Sequence, residues 1–144
     1  MDNLLTVEDV KIVFTHEGVD SIPVRSVSLR LSPGERVALV GESGCGKSLT
    51  AMSLTRLSPT DHAKVMGRVM FRGRDLLTLP PHELMMVRGR QVAYVFQDPS
   101  ASLNPVMRVD AQVTEALPGM SRAERARFTA KALEEVGLPD PARA

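Results

Sequence analysis

Ser26 to Leu31 runs Ser, Val, Ser, Leu, Arg, Leu, the two-residue period of a strand with one buried face. Val7 to Phe14 is rich in β-branched and apolar residues and reads as a second strand, separated from the first by a polar connection from Thr15 to Ile22. Ser32-Pro33-Gly34-Glu35 is turn chemistry, in which Pro fixes φ and Gly lets the chain reverse. Arg36 to Val40 follows as a buried strand. Gly41 to Lys47 is glycine-rich, and from Ser48 to Leu57 the positions Leu49, Met52, Ser53, Leu54 and Leu57 fall near helical spacing. The pattern therefore predicts strand, glycine-rich loop, helix.

Ser58-Pro59-Thr60-Asp61 stops that helix, and Val65 to Phe71 reads as a strand closing at a turn around Arg72-Gly73. Leu76 to Leu79, with the start signal Pro80-Pro81-His82-Glu83, predicts a short helix through Val87. Gln91 to Phe96 is a further strand. Asp98 to Pro105, rich in Pro and Ser and containing Asn104, is a loop. Ser121-Arg122-Ala123-Glu124 has capping-box form, and Ala126, Ala130, Leu133 and Gly137 line one helical face until Gly137 and Pro139 end it. There are no internal repeats, low-complexity runs or interdomain linkers. Strands and helices in this order predict an α/β fold.

Composition narrows the function. The chain has 144 residues, one domain's worth or part of one, with 18 Lys and Arg against 17 Asp and Glu for a net charge of +1. That near-neutral, scattered charge argues against nucleic acid as a partner. Aromatics make up 3%, Tyr94 is the one tyrosine and there is no Trp, so base-stacking platforms are not expected. Val37 to Val40 and Val92 to Phe96 fall far short of the roughly 18 apolar residues that span a bilayer, so the chain is not expected to cross a membrane by itself. The acidic start M-D-N-L-L-T-V-E-D-V lacks the basic opening of a secretory signal. Cys45 alone permits no internal disulfide, which fits a reducing cytoplasm.

The chemistry is concentrated in Gly41-Glu42-Ser43-Gly44-Cys45-Gly46-Lys47-Ser48, which matches G-x-x-x-x-G-K-[ST] between an expected strand and an expected helix. Gly41, Gly44 and Gly46 allow backbone conformations in which successive N–H groups point inward at phosphate oxygens. The helix that follows adds the positive end of its dipole. Lys47 is expected to reach the β- and γ-phosphates, and the Ser48 hydroxyl to take one position on Mg²⁺. Cys45 either occupies a variable position and contributes its backbone N–H or is a reactive thiol; modification there is expected to block nucleotide binding.

Val92-Ala93-Tyr94-Val95-Phe96-Gln97-Asp98 allows two readings. Asp98 is the Mg²⁺-organising carboxylate of a soluble P-loop NTPase or kinase, or Gln97 carries the function and Asp98 opens the loop. G-E-S-G-C-G-K-S followed by V-F-Q-D-P-S-A-S-L-N-P-V resembles the ATP-binding subunits of ABC transporters, and V-R-S-V-S-L-R-L-S-P-G-E and M-G-R-V-M-F-R-G-R-D-L-L-T-L extend the similarity almost end to end. The combination of G-E-S-G-C-G-K-S-L-T-A-M-S-L, M-M-V-R-G-R-Q-V-A-Y-V-F-Q and F-Q-D-P-S-A-S-L-N-P is similar to the importers of oligopeptides, dipeptides and nickel.

The resemblance implies ATP and Mg²⁺ as ligands, with Gly41 to Ser48 as the phosphate site and Ser48 and Gln97 at the metal. It implies that Gln97 senses nucleotide state at the metal or attacking water, and that Asp98 to Arg108 faces a transmembrane permease subunit. A second ATP-binding subunit and, indirectly, an external solute-binding protein are the other implied partners, and the implied location is peripheral, on the cytoplasmic face of the cell membrane. Residues 1–97 are then the nucleotide-binding core through the Q-loop, and residues 98–144 the start of a helical subdomain. Phe14 is the nearest match to the aromatic that stacks on adenine, although the insertion Thr15 to Ile22 disturbs the spacing and a core role is the alternative.

The chain departs from that family in lacking L-S-G-G-Q, an apolar strand ending in Asp-Glu, and a switch histidine. It resembles the N-terminal part of a complete subunit, so it is expected to bind ATP without hydrolysing it alone, or to be a non-catalytic remnant. Arg88 and Arg90 read as a solvated basic turn, Met66, Met70, Met85, Met86 and Met107 as core or subunit-contact fillers, and His16, His62 and His82 show no ligand spacing.

Overall fold

The computed structural model describes residues 3–57, 63–98 and 102–138. The chain divides into two compact units, Met1–Gln91 and Val92–Ala144. The expected helix stop at 58–61, His62 and Pro139 lie outside the described residues.

The first unit is built on an antiparallel sheet in the order β2-β1-β3-β4. β1 (Leu5–His16) and β2 (Val19–Leu31) form a hairpin whose turn is only Glu17 and Gly18, with φ of 50° and 79°. Two successive left-handed residues give the turn whose twist matches that of paired strands. The polar stretch 15–22, expected as a connection, is therefore the hairpin tip: His16 pairs with Val19, and the Thr15 hydroxyl donates to Asp20 Oδ1 at 2.7 Å. Its sequence hides this because the tip is exposed on both faces, which removes the alternation that marks a half-buried strand.

β3 (Ala63–Phe71) pairs with the other edge of β1, then turns through Arg72 and Gly73 into the two-residue β4 (Arg74–Asp75). Val7, Val10, Ile12, Val24, Val69 and Phe71 supply the buried face. α1 (Lys47–Ser53) follows the glycine-rich loop, and α2 (Pro81–Arg90), opened by Pro in its first turn, buries Leu84 and Val87. The Arg88 Nε–H donates to the Thr55 carbonyl at 2.8 Å, and Arg56 donates to the Leu79 carbonyl at 2.7 Å. Arg88 thus ties α2 to the turn after α1 and is not part of a solvated basic turn; Arg90 is exposed as expected.

Residues 36–40, expected as a buried strand, and 91–96, expected as a further strand, have no ladder partner among the described residues. Val40 is 92% and Val95 100% exposed. A continuous apolar run records a demand for burial on both faces, but pairing and cover come from neighbouring elements that such a run does not encode. Met66, Met85, Met86 and Met107 are likewise exposed, so the core-filler reading does not hold for them.

In the second unit α3 (Val109–Val113) packs on α4 (Arg122–Glu135). The expected capping box is present: the Glu124 N–H donates to Ser121 Oγ at 3.3 Å and the Ser121 N–H to Glu124 Oε2 at 2.7 Å. α4 ends at Gly137, φ 78°, where the Leu138 N–H reaches the Leu133 carbonyl at 3.0 Å and the Gly137 N–H the Glu134 carbonyl at 2.9 Å. Its inward face is centred on buried Thr129, flanked by half-buried Arg125 and Leu133, whereas Ala126 is exposed. Of the expected stripe, Ala130 and Leu133 are half-buried and Gly137 is exposed, so the buried face is shifted toward Thr129; Ala carries too little apolar surface to decide which way a helix turns.

Candidate functional site

The loop 41–46 leads into the first turn of α1. Gly44 and Gly46 take φ of 80° and 95°, the left-handed region where a side chain is strained. Gly41 does not; a Cβ there would stand 2.8 Å from the Cys45 sulfur, so crowding rather than φ favours glycine at that position. The Cys45 N–H donates to the Glu42 carbonyl at 3.3 Å, which folds residues 42–45 into a turn. Glu42, Ser43, Cys45 and Ser48 are exposed.

Lys47 is half-buried inside this turn. Its ammonium donates to the Gly41 carbonyl at 2.8 Å, the Glu42 carbonyl at 2.7 Å and Cys45 Sγ at 3.5 Å. A lysine ammonium has three donors, and here all three brace the loop. α1 makes its first backbone bond from the Thr50 N–H to the Gly46 carbonyl at 2.8 Å. The N–H groups of Lys47, Ser48 and Leu49 belong to the opening turn and have no intrahelical acceptor, which leaves them as donors at the start of the helix next to the Lys47 cation.

The loop rests on β2. A Cβ on Gly46 would lie 3.1 Å from Val24 Cγ2 and 3.3 Å from the Pro23 carbonyl oxygen. Val24 pairs with Ile12 of β1, and Phe14, two residues further along β1, shares that face and pairs with Ser21. Phe14 is half-buried, compatible with presenting part of its ring. Pro23 and Val24 were not singled out by motif reading; the signal that points to them is the glycine before Lys47, whose missing side chain requires a close neighbour or an unusual φ.

Gln97 and Asp98 lie in the second unit, both exposed, after Tyr94 and Phe96, whose rings stack with centroids 6.3 Å apart. His16 and His82 are exposed and separate, and no group of three metal-ligating side chains occurs among the described residues. The perturbed acids are also in the second unit: hydrogen bonds from Arg108 hold Asp110 below the usual carboxylate range, and Ser121 does the same for Glu124. No helix among the described residues is long and apolar enough to cross a membrane.

Over 96% of its length the chain is 42% identical to a peptidoglycan transport ATP-binding protein of Agrobacterium fabrum, covering 26% of that protein. It is 41% identical over 98% of its length to a dipeptide transport ATP-binding protein of Bacillus subtilis, covering 43% of it. Against an oligopeptide transport ATP-binding protein of Escherichia coli the identity is 39% over 96% of the chain and 42% of the relative. The chain thus spans well under half the length of these curated relatives. The family profile described as ABC transporter begins at residue 24, inside the Pro23-Val24 contact, runs through the phosphate-loop motif and Gln97, and matches to residue 144, so the chain belongs to the ABC transporter family.

Proposed function

We propose that the chain forms the phosphate-binding part of the ATP-binding component of a peptide importer. The observation that carries this is the loop 41–48, which joins two left-handed glycines, a cation and the free donors of a helix start in a family whose relatives here are named for peptide transport. The donor set fits a nucleotide phosphate: N–H groups of the first turn for its oxygens, and Lys47 as a point charge that exchanges loop carbonyls for phosphate. The exposed Ser48 hydroxyl is a neutral oxygen donor that would hold Mg²⁺, and the exposed Gln97 amide carries the same donor chemistry in the second unit. Bound ATP supplies the phosphoanhydride whose cleavage drives transport in such a system.

Phe14 is proposed as the adenine contact, residues 1–97 as the nucleotide-binding core and residues 98–144 as the beginning of a helical subdomain. Gln97 and the segment after it would couple nucleotide state to a transmembrane permease, with a second ATP-binding subunit opposite and a solute-binding protein acting from outside. This places the chain peripherally, at the cytoplasmic face of the membrane.

Titration with Mg²⁺-ATP tests the reading. Lys47→Ala abolishes binding, whereas Gln97→Ala and Asp98→Asn leave it intact. Loss of Mg²⁺ dependence in Asp98→Asn, with Gln97→Ala unaffected, would instead make Asp98 the metal carboxylate of a soluble P-loop NTPase.

A further inference from the structure

We infer that Pro23 and Val24 of β2 are positioning residues for the phosphate loop, a shelf that fixes Gly46 and through it the direction of the Lys47 and Ser48 N–H groups. The inference rests on the nucleotide reading above and extends it to residues outside the motif.

The geometry is local to the first unit. Between the pairs Ile12–Val24 and Phe14–Ser21, β2 carries one more residue than β1, so the strand bulges at 22–23. Pro23 sits in that bulge, where its missing N–H costs no ladder bond. The bulge sets the Pro23 carbonyl and the Val24 side chain against Gly46, at the 3.3 Å and 3.1 Å separations found for a Cβ built there. A side chain at 46 would fit only if its neighbours gave by a few tenths of an ångström, and the same separations place Gly46 beside the strand.

The shelf itself is firm. Val24 is 4% exposed, and the row Val24–Ile12–Val65 crosses three strands of the sheet, with Ile12 wholly buried. Gly46 in turn is the N-cap of α1, and its carbonyl accepts the first helical bond, from Thr50. A displaced Gly46 therefore redirects the opening turn. Phosphate binding depends on several N–H groups aimed at one anion, so small misdirection is felt in affinity before it is felt in folding.

Val24→Ala removes the Cγ2 that lies beside Gly46 and leaves the Pro23 carbonyl in place. Mg²⁺-ATP affinity of the full chain is expected to fall about tenfold and to recover to within about twofold in Val24→Ile. Val69→Ala is the control, since Val69 is equally buried but lies on β3 at the Val7 pair. It should lower the unfolding midpoint as much as Val24→Ala while leaving affinity unchanged below that midpoint. A second readout needs no nucleotide: Cys45, the one thiol, neighbours Gly46, and its labelling rate by a small disulfide reagent should rise severalfold in Val24→Ala and stay constant in Val69→Ala.

Wild-type affinity and labelling rate in Val24→Ala would overturn the shelf, as would equal changes in Val69→Ala. Failure of the nucleotide reading looks different: Lys47→Ala then binds Mg²⁺-ATP as the wild type does, while the labelling contrast persists.

Discussion

Gly67 of β3 lies against the backbone of Asp9 in β1, so closely that a Cβ on Gly67 would stand 2.6 Å from the Asp9 carbonyl oxygen. Asp9 has φ 48° and sits in a bulge between the Glu8–Arg68 and Lys11–Met66 pairs. Its N–H donates to Ser28 Oγ at 2.9 Å, and Ser26 Oγ donates to its carboxylate at 3.2 Å. β2 thus holds one side of the bulge and the missing Cβ of Gly67, φ 102°, accommodates the other.

Gly67→Ala is therefore expected to be severe for so small a change. The clash is with backbone, which no rotamer relieves, and the left-handed φ adds strain, together at least about 2 kcal/mol. Urea unfolding monitored by far-ultraviolet circular dichroism measures it, and Gly73→Ala, at φ 77° with open space around the Cβ, isolates the conformational part of the loss.

The capping box of α4 makes a separate prediction for the second unit. Ser121→Ala leaves the Glu124 N–H without its acceptor, while the backbone N–H at 121 that bonds the Glu124 carboxylate is retained. Loss of an N-cap of this kind costs about 1 kcal/mol. Ser121→Asp restores an acceptor at the same place, so its melting temperature should return close to that of the parent chain.

Acid should loosen the same unit. Asp110 accepts from Arg108 Nε at 2.9 Å and Arg108 Nη2 at 3.2 Å, and from the Ala111 N–H at 2.9 Å. The Arg108 hydrogen bonds, foremost, hold its pKa below the ordinary 3.8; burial opposes them, and Arg108's charge, the Ala111 N–H and Arg125 add to the lowering. A carboxyl depressed in the folded state contributes its stability fully above the unfolded value and loses it as pH falls through the folded one. Helicity of the α3–α4 pair should therefore drop below about pH 4, and Asp110→Asn should flatten that dependence. A pH profile of ellipticity that is the same for both proteins would show that Asp110 does not control it.

The parts of the fold legible in the sequence are those whose signals are local. Glycines at 44 and 46, the Ser121–Glu124 box and the Arg72–Gly73 turn each report a backbone requirement within a few residues, and each is found where expected. The hairpin tip at 15–22 and the helix face around Thr129 were not legible, because solvent on both sides of a ribbon and a stripe of alanines leave no period to read. The phosphate loop's support was hidden for another reason. Val24 is separated from Gly46 by most of β2, a turn and residues 36–45, and nothing in either local sequence names the other as its neighbour.

Cys45 offers a chemical test of the candidate site. Its thiol is exposed, which gives a reagent access, yet its sulfur is 3.5 Å from the Lys47 ammonium and would lie 2.8 Å from a Cβ on Gly41. An alkyl group on that sulfur cannot stay between Gly41 and Lys47 without moving one of them, and it also removes the sulfur's place among the lysine's three acceptors. Labelling with N-ethylmaleimide should therefore abolish Mg²⁺-ATP binding, and prior saturation with Mg²⁺-ATP should slow the labelling. Cys45→Ala separates bulk from sulfur chemistry: the backbone N–H that bonds the Glu42 carbonyl is retained, so affinity should remain within about threefold of the parent, and maleimide should have no effect. Labelling that proceeds to completion with full retention of binding would mean that the nucleotide does not sit on this loop.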